Sequence, residues 1–219
     1  MPFKAILFDL DGTLLDTLED IGNAMNRVLQ KYGFPVYDID AYRHLVGEGV
    51  TTLAARVLPE GKKSEDLIRT LVRAYREDYG NNWRVKTKPY DGITEMLDAL
   101  TARGFKMAVL SNKPDEFTKL CVNAFLSKWT FDIVLGQRSS VPPKPDPAGA
   151  KEVAEGLKIS PSQFLYLGDT AIDMKTAVSA GMFPVGVLWG FRAAEELCNG
   201  GAQALIKKPQ DVLNLLGNG

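Results

Sequence analysis

Short, continuously apolar runs alternate with helical patterns along most of the chain, and this alternation constrains the fold more than any other feature. The runs typical of strands buried on both faces are residues 3–10, 106–110, 131–135, 164–167 and 184–188. The helical patterns between the later runs are residues 93–102, 114–125, 147–157 and 171–180. Regular strand–helix alternation predicts an α/β fold with a doubly wound, parallel, Rossmann-like sheet.

One long stretch after the first run lacks any strand pattern. Residues 17–84 carry amphipathic helical patterns, such as those of Ile21–Tyr32 and Ser64–Tyr79. An all-helical segment placed there is explained best as an insertion, with hinges near residues 14–18 and 85–89. We therefore predict an α/β core formed by residues 1–15 and 86–219 and a helical cap formed by residues 16–85.

Composition narrows the class of protein. The 26 basic and 27 acidic residues nearly balance, so nothing points to a nucleic-acid partner. Cys121 and Cys198 are too few for a disulfide scaffold and have no neighbouring ligands for zinc. We expect no membrane partner, because no apolar stretch approaches about 20 residues, and no targeting signal, because acidic residues interrupt the first apolar run. These features predict a cytoplasmic protein and leave its oligomeric state open.

The first apolar run ends in a pair of carboxylates, Asp9 and Asp11. Residues i and i+2 of a strand share a face, so both side chains can point into the crevice beyond the strand, where open α/β sheets bind ligands. Carboxylates held this close repel one another, which requires either a bound proton or a cation between them. Gly12 permits a sharp turn, and Thr13 can offer a hydroxyl and an amide to a phosphate oxygen. The alternative is an ordinary acidic turn after a strand.

A second acidic pair, Asp169 and Asp173, follows the apolar run at 164–167. Their spacing places them on the same side of one helical turn. Acidic residues at this position can simply cap a helix. If they lie beside Asp9, however, they form a set of hard oxygen ligands that suits Mg²⁺.

Two further loops can hold a phosphate group. Ser111 and Asn112 follow the run at 106–110 and place a hydroxyl and backbone amides at the start of a helix. Lys144 lies in a loop stiffened by Pro142, Pro143 and Pro145. A lone loop lysine is usually solvated, but a rigid loop can hold a cation where a transferring phosphoryl group needs stabilisation.

Taken together and in this order, these motifs resemble those of the haloacid dehalogenase superfamily. The helical insertion after the first motif is similar to the helical-cap subgroup. Ser111–Pro114 and Trp189–Arg192 are similar to its phosphoglycolate phosphatase branch. The residues that carry the core resemblance are Asp9, Asp11, Gly12, Thr13, Ser111, Lys144, Gly168, Asp169 and Asp173.

The resemblance implies a reaction, namely hydrolysis of a small phosphate monoester by a phosphoric monoester hydrolase. Asp9 would be the nucleophile that forms an aspartyl-phosphate, and Asp11 would act as the general acid and then the general base. Mg²⁺ would be held by Asp9, the carbonyl of Asp11, Asp169 and Asp173, the last directly or through water. Phosphoryl oxygens would be held by Thr13, Ser111, Asn112 and Lys144.

Other functions remain open on the sequence alone. A phosphomutase similar to beta-phosphoglucomutase shares every core motif, although Lys113–Pro114 resembles the phosphatases. A dehalogenase would attack carbon and would lack the acid Asp11 and the second acidic pair. A non-enzymatic phosphate-binding protein on the same fold is a third alternative.

The resemblance also implies that the cap sets the choice of substrate, and the cap residues are harder to interpret. Arg43 and the turn that begins at Gly47 are predicted to contact the substrate. His44 is expected at the surface or in packing. Arg192, in the core, is expected to be solvated.

Overall fold

The predicted alternation of strands and helices is present in the structure, a computed structural model that describes residues 3–217. The strands are β1 (Ala5–Phe8), β2 (Leu15–Asp16), β3 (Lys88–Pro89), β4 (Lys106–Pro114), β5 (Ile133–Gln137), β6 (Phe164–Gly168), β7 (Phe183–Val187) and β8 (Ala204–Ile206). The α-helices are α1 (Leu18–Lys31), α2 (Tyr42–Leu45), α3 (Gly49–Val57), α4 (Glu65–Asn82), α5 (Ile93–Ala102), α6 (Asp115–Phe125), α7 (Ala148–Leu157), α8 (Ala171–Ala180), α9 (Ala194–Gly200) and α10 (Val212–Leu215). Short 3₁₀ helices occur at Pro161–Gln163 and Pro209–Asp211.

Six strands form one parallel sheet in the order β5-β4-β1-β6-β7-β8. The chain builds this sheet outwards from β1 through β4 to β5, and then adds β6, β7 and β8 on the other side of β1. In register, Phe8 is opposite Val109 of β4 and Leu167 of β6. The carboxyl ends of β1, β4 and β6 therefore meet at the point where strand order reverses, which is where such sheets bind ligands.

The apolar strands are continuous because helices cover both faces of the sheet. Ile6 and Phe8 pack on one side into a buried cluster with residues of α5 and α6. Ala5 and Leu7 point to the other side and pack with residues of α7 and α8. This two-period alternation of contacts confirms the predicted doubly wound α/β fold.

The helices α1–α4, which we call the cap helices, enclose a buried cluster of their own. Met25, Leu53 and Tyr75 lie within it, and Phe117 and Phe191 from outside the cap helices complete it. Residues 17–84 are all described and contain no strand, as predicted. The division of the chain at residues 16 and 85 stays a prediction.

Both predicted hinge segments are fastened to one another. β2 and β3 pair antiparallel, Leu15 with Pro89 and Asp16 with Lys88. The buried carboxylate of Asp20 accepts hydrogen bonds from the backbone amides of Lys86 and Thr87 and from the Thr87 hydroxyl, at 2.8–3.0 Å. Because these contacts join residues more than 60 positions apart, they fix the entry and exit of the cap helices relative to each other.

No helix among residues 3–217 combines the length and hydropathy that a membrane span requires.

Candidate active site

Three buried carboxylates converge at the carboxyl ends of the central strands. Asp9 follows β1, Asp169 follows β6, and Asp173 lies in the first turn of α8. One oxygen of each lies within 4.8 Å of the others. The sequence-predicted convergence of Asp9, Asp169 and Asp173 is thus present in the fold, and we call these three residues the acidic cluster.

Lys144 is the cation inside this cluster. Its Nζ lies 2.6 Å from Oδ1 of Asp173 and 2.9 Å from Oδ1 of Asp9. Burial lowers the pKa of this ammonium group, but attraction to Asp173 and Asp9 outweighs burial and holds the pKa well above its ordinary value. Lys144 is therefore permanently charged, and it contacts the carboxylates where the sequence had suggested a phosphate contact.

One lysine does not neutralise three carboxylates. Burial, followed by repulsion from Asp173, raises the pKa of Asp9 well above its ordinary value. The same two causes raise the pKa of Asp169 to about 7, despite hydrogen bonds from Phe191 and Thr13. The cluster therefore carries excess negative charge in a buried place, and its donors are carboxylate oxygens only. That combination fits a hard divalent cation.

Asp169 is fixed on every side. Its Oδ1 accepts a hydrogen bond from Thr13 Oγ1 at 3.1 Å, and its Oδ2 accepts one from the Phe191 amide at 2.9 Å. A Cβ at Gly12, where φ is +83°, would lie 2.2 Å from Oδ2, and a Cβ at Gly190 would lie 2.3 Å from the Asp169 Cβ. Glycine is required at both positions so that the backbone can approach this carboxylate. The Thr13 hydroxyl donates here, and its predicted phosphate contact stays a prediction.

Asp173 serves two purposes at once. Its Oδ2 accepts hydrogen bonds from the Thr170 amide and hydroxyl, which caps the N-terminus of α8. Its Oδ1 accepts the hydrogen bond from Lys144. Asp173 therefore caps the helix and also lies in the acidic cluster, and its role as a metal ligand stays a prediction.

The carboxylate of Asp11 lies apart from the acidic cluster and is held by Lys113. Nζ of Lys113 lies 2.9 Å from Oδ1 and 3.2 Å from Oδ2 of Asp11. The same ammonium lies 4.6 Å from the centre of the Tyr79 ring. The charge of the Asp11 carboxylate is thus balanced by Lys113, a side chain of the protein. The predicted metal contact of Asp11 is its backbone carbonyl and not this carboxylate.

Ser111 and Asn112 lie in β4 beside Asp9. The sequence pattern predicted that this strand ends at residue 110 and that both residues follow it. The Ser111 hydroxyl accepts a hydrogen bond from the Lys113 amide at 3.2 Å. The Asn112 side chain accepts from the Lys144 amide at 2.9 Å and donates to the Lys144 carbonyl at 3.0 Å. It also donates at 3.1 Å to the carbonyl of Gly47, which lies between α2 and α3 in the stretch from α1 to α4 that we call the cap segment. Asn112 therefore positions the Lys144 loop and links it to the cap segment.

A cavity of about 60 Å³ lies between these residues and the cap helices. Its polar end is formed by Asp9, Asp11, Ser111, Asn112 and Lys113. Its other walls are largely apolar and include Ile21, Val46, Val50, Leu53, Phe117 and Phe191. A buried carboxylate at the base of a small, covered cavity is the arrangement expected of an enzyme site that excludes water.

Of the two predicted substrate contacts in the cap, Gly47 lines this cavity and Arg43 is not among the lining residues. Arg43 instead pairs with Asp40 and donates to the Gly190 carbonyl at 3.2 Å. The prediction that Arg192 is solvated is wrong. Its side chain is 9% exposed, pairs with Glu196 and donates to the Val46 carbonyl at 3.0 Å. Arg43 and Arg192 therefore bind the cap segment and the loop after β7 to each other.

Comparison with known proteins supplies the family. The sequence profile of haloacid dehalogenase-like hydrolases matches residues 6–187. The chain belongs to this family. A phosphoglycolate phosphatase of Nitrosospira multiformis is 31% identical over 219 residues, which cover 99% of this chain and 96% of that protein. Another from Aquifex aeolicus is 33% identical over 215 residues, covering 98% and 97% of the two chains.

Solved structures of the family agree in fold over the whole chain. A protein from Lactobacillus delbrueckii subsp. bulgaricus superposes with a TM-score of 0.93 at 26% identity, covering 100% of both chains. A predicted phosphoglycolate phosphatase from Haemophilus somnus gives 0.90 at 28% identity, covering 98% of each. The resemblance and the predicted class of enzyme, a phosphoric monoester hydrolase, are confirmed.

Two contacts of this haloacid dehalogenase-like hydrolase were missed in the sequence. Lys113 and Phe191 were both used only as parts of the motifs that resemble the phosphoglycolate phosphatase branch, although Lys113 holds Asp11 and the Phe191 amide holds Asp169. The single available signal was that Lys113 adjoins Ser111 and Asn112. Neither partner could be named, because the contacts span 102 and 22 positions and leave no local pattern.

Proposed function

We propose that the protein is a Mg²⁺-dependent phosphatase that hydrolyses a small phosphate monoester through an aspartyl-phosphate on Asp9. The observation that carries this proposal is the position of Asp9. Its carboxylate belongs to the acidic cluster, lines the cavity and has Lys144 at 2.9 Å. Oδ1 accepts the hydrogen bond from the Leu10 amide and faces Lys144, whereas Oδ2 accepts no hydrogen bond from residues 3–217. Oδ2 is the oxygen we assign to attack on phosphorus.

Asp9, Asp169, Asp173 and the carbonyl of Asp11 are the groups that would hold the metal ion, Asp173 either directly or through water. The excess negative charge of the acidic cluster and its all-oxygen donors support this choice. When bound, Mg²⁺ supplies positive charge that offsets both the cluster and the phosphoryl oxygens.

The reaction then proceeds in two halves. The carboxylate of Asp9 attacks phosphorus while the bond to the leaving oxygen breaks and Asp11 gives that oxygen a proton. In the second half, Asp11 takes a proton from water, the water oxygen bonds to phosphorus, and the bond to Asp9 breaks to release phosphate. Lys113, at 2.9 Å, holds the Asp11 carboxylate in place for both transfers.

The remaining phosphate contacts belong to the same proposal. Lys144 is charged, Asn112 fixes its backbone, and Asp9 and Asp173 hold its Nζ, so the ammonium group is already positioned to bind a phosphoryl oxygen. The Ser111 hydroxyl lines the cavity and can donate to a second oxygen. We assign the backbone amide of Asn112 and the residue Thr13 to the others.

A small substrate is favoured by the small, covered cavity. The relatives from N. multiformis and A. aeolicus are phosphoglycolate phosphatases, and phosphoglycolate is the substrate we propose for this chain. A cap formed by residues 16–85 and a location in the cytoplasm are part of the same proposal.

Replacement of the nucleophile tests this function. Asp9→Asn keeps the shape of the side chain but removes the attacking oxygen, so kcat for Mg²⁺-dependent phosphate release should fall at least about 10³-fold. Asp91→Asn makes the same chemical change at an exposed residue outside the site and should leave kcat within about twofold. Circular dichroism should show both variants folded. Near-normal turnover by the Asp9 variant would rule out the assigned nucleophile.

The same assay separates the alternatives. Release of inorganic phosphate from phosphoglycolate in the absence of any sugar acceptor is expected of a phosphatase. A phosphomutase would instead return the phosphoryl group to a sugar phosphate, with little free phosphate.

A further inference from the structure

The side chains that line the cavity include two acidic groups and one basic group. Asp9 and Asp11 are acidic, and Lys113 is the one lysine or arginine among the lining residues within the part of the chain described. The Lys113 side chain is 4% exposed, so its charge is directed into the cavity region and not to bulk water. If a substrate carries a second anionic group besides its phosphate, Lys113 is the cationic side chain of the cavity wall that can pair with it.

The other cations near the cap segment are engaged elsewhere. Arg43 binds Asp40 and the Gly190 carbonyl, Arg56 binds Glu48 and the Leu45 carbonyl, and Arg192 binds Glu196 and the Val46 carbonyl. None of the three lines the cavity. They hold the cap segment in place. Nη1 of Arg192 is buried without a hydrogen-bond partner among residues 3–217, but Arg192 does not line the cavity, so Lys113 is the cation that a ligand there can meet.

The ammonium of Lys113 has capacity for another acceptor. It carries three N–H groups, and the two oxygens of Asp11, at 2.9 and 3.2 Å, use at most two of them. The Tyr79 ring, 4.6 Å away, stabilises the charge through its face without accepting a conventional hydrogen bond. One N–H group therefore remains for a ligand.

The apolar walls make that pairing selective. Burying an unpaired charge is very unfavourable, and burying unpaired hydroxyl groups is also costly. Val50, Leu53 and Phe117 offer no polar side-chain atoms to a hydroxyl-rich leaving group. Tyr75 and Tyr79 also line the cavity, and their two hydroxyls are too few to pair with every hydroxyl of a sugar. The cavity therefore favours a short leaving group with a single negative charge over a sugar.

We propose that Lys113 is the binding site for a carboxylate on the leaving-group side of the substrate, and that this contact selects carboxylate-bearing phosphate esters. The inference rests on the proposed function. It adds a second role to Lys113, which holds the Asp11 carboxylate and also reads the charge of the leaving group.

A comparison of two substrates tests the proposal in the wild-type protein. Phosphoglycolate and its primary amide have the same shape, but only the first carries a carboxylate. With saturating Mg²⁺, kcat/KM should be at least about tenfold higher for phosphoglycolate, which corresponds to about 1.4 kcal/mol. Hydrolysis of both esters at equal kcat/KM would overturn the carboxylate site while leaving the phosphatase function intact. Hydrolysis of neither ester, nor of an aryl phosphate, would instead overturn the proposed function.

Substitution of Lys113 separates its two roles. Lys113→Met removes the charge but keeps a long, flexible side chain, and loss of its support for Asp11 lowers turnover of both esters equally. The preference for the carboxylate should therefore collapse to within about twofold, whereas Lys113→Arg should keep at least part of it. An equal loss on both esters, with the wild-type preference preserved in Lys113→Met, would show that Lys113 acts on Asp11 alone and would overturn the proposal.

Discussion

Raising the pH should lower the free energy of unfolding of the metal-free protein, because the acidic cluster binds a proton more tightly in the folded chain than in the unfolded chain. Burial and the charge of Asp173 raise the pKa of Asp169 from 3.8 to about 7. The three carboxylates lie within reach of one another, so the proton belongs to the cluster as a whole. The perturbation that tests this is Asp169→Asn, which removes one titrating carboxylate from the cluster and keeps the size of the side chain.

The sign and size follow from the two pKa values. Where the folded chain binds more protons than the unfolded chain, the free energy of unfolding falls as pH rises. The contribution of Asp169 is therefore fully present below about pH 4 and is lost as pH approaches 7. A difference of about three pH units corresponds to about 4 kcal/mol, because each unit is worth about 1.4 kcal/mol.

Urea unfolding followed by tryptophan fluorescence measures this effect in chelator-treated protein. The stability of the wild type relative to Asp169→Asn should decline by about 4 kcal/mol between pH 4 and pH 7. Near neutral pH, Mg²⁺ at a hundredfold excess over its dissociation constant should raise the free energy of unfolding of the wild type by about 2.7 kcal/mol. The increase should be smaller in the variant, which lacks one of the proposed ligands. A stability difference that stays constant with pH would refute the electrostatic account of the cluster.

Other predictions concern the remaining parts of the site. Asp11→Asn should slow turnover by about 10²-fold or more and leave phosphate attached to Asp9, which intact-mass measurement detects; no adduct in a folded, slowed variant would contradict the role of Asp11 as base. Gly190→Ala places a Cβ 2.4 Å from the Gly12 carbonyl and should lower kcat/KM by about 10²-fold, whereas Gly80→Ala, with 3.7 Å of space, should not. Asp20→Ala should cost about 1–3 kcal/mol in urea unfolding, because it leaves the buried amide and hydroxyl of Thr87 without an acceptor. Ca²⁺ should support little turnover in place of Mg²⁺, since it prefers more ligands in a looser geometry, and equal rates with both ions would contradict this.

Periodicity predicted the regular parts of the fold well. α5 and α8 were placed with their observed bounds, because long apolar stripes and their end signals act locally. Shorter elements were missed, including α2, α10 and β8, because three or four residues carry too little pattern. β4 was predicted to end at Leu110 but continues to Pro114, with a shift in its register against β5 between these residues. The apolar pattern ends at Leu110 because the residues that follow are polar.

The site was predictable to the extent that its residues end strands. Asp9, Ser111 and Asp169 follow or extend buried strands, and parallel strands bring such positions to one edge. The partner of each polar side chain in the site was not predictable. Lys144 binds carboxylates, Asn112 binds the Lys144 loop, and Lys113 binds Asp11, and each contact depends on side-chain geometry across at least 29 positions.

A crystal structure of the protein with Mg²⁺ and beryllium trifluoride, which mimics the phosphoryl group of an aspartyl-phosphate, tests the central claim most directly. The account predicts the fluoride adduct on Asp9, with Lys144 beside it and the metal ion held by Asp9 and Asp169. An adduct on another side chain, or a metal ion bound away from Asp169, would contradict the account.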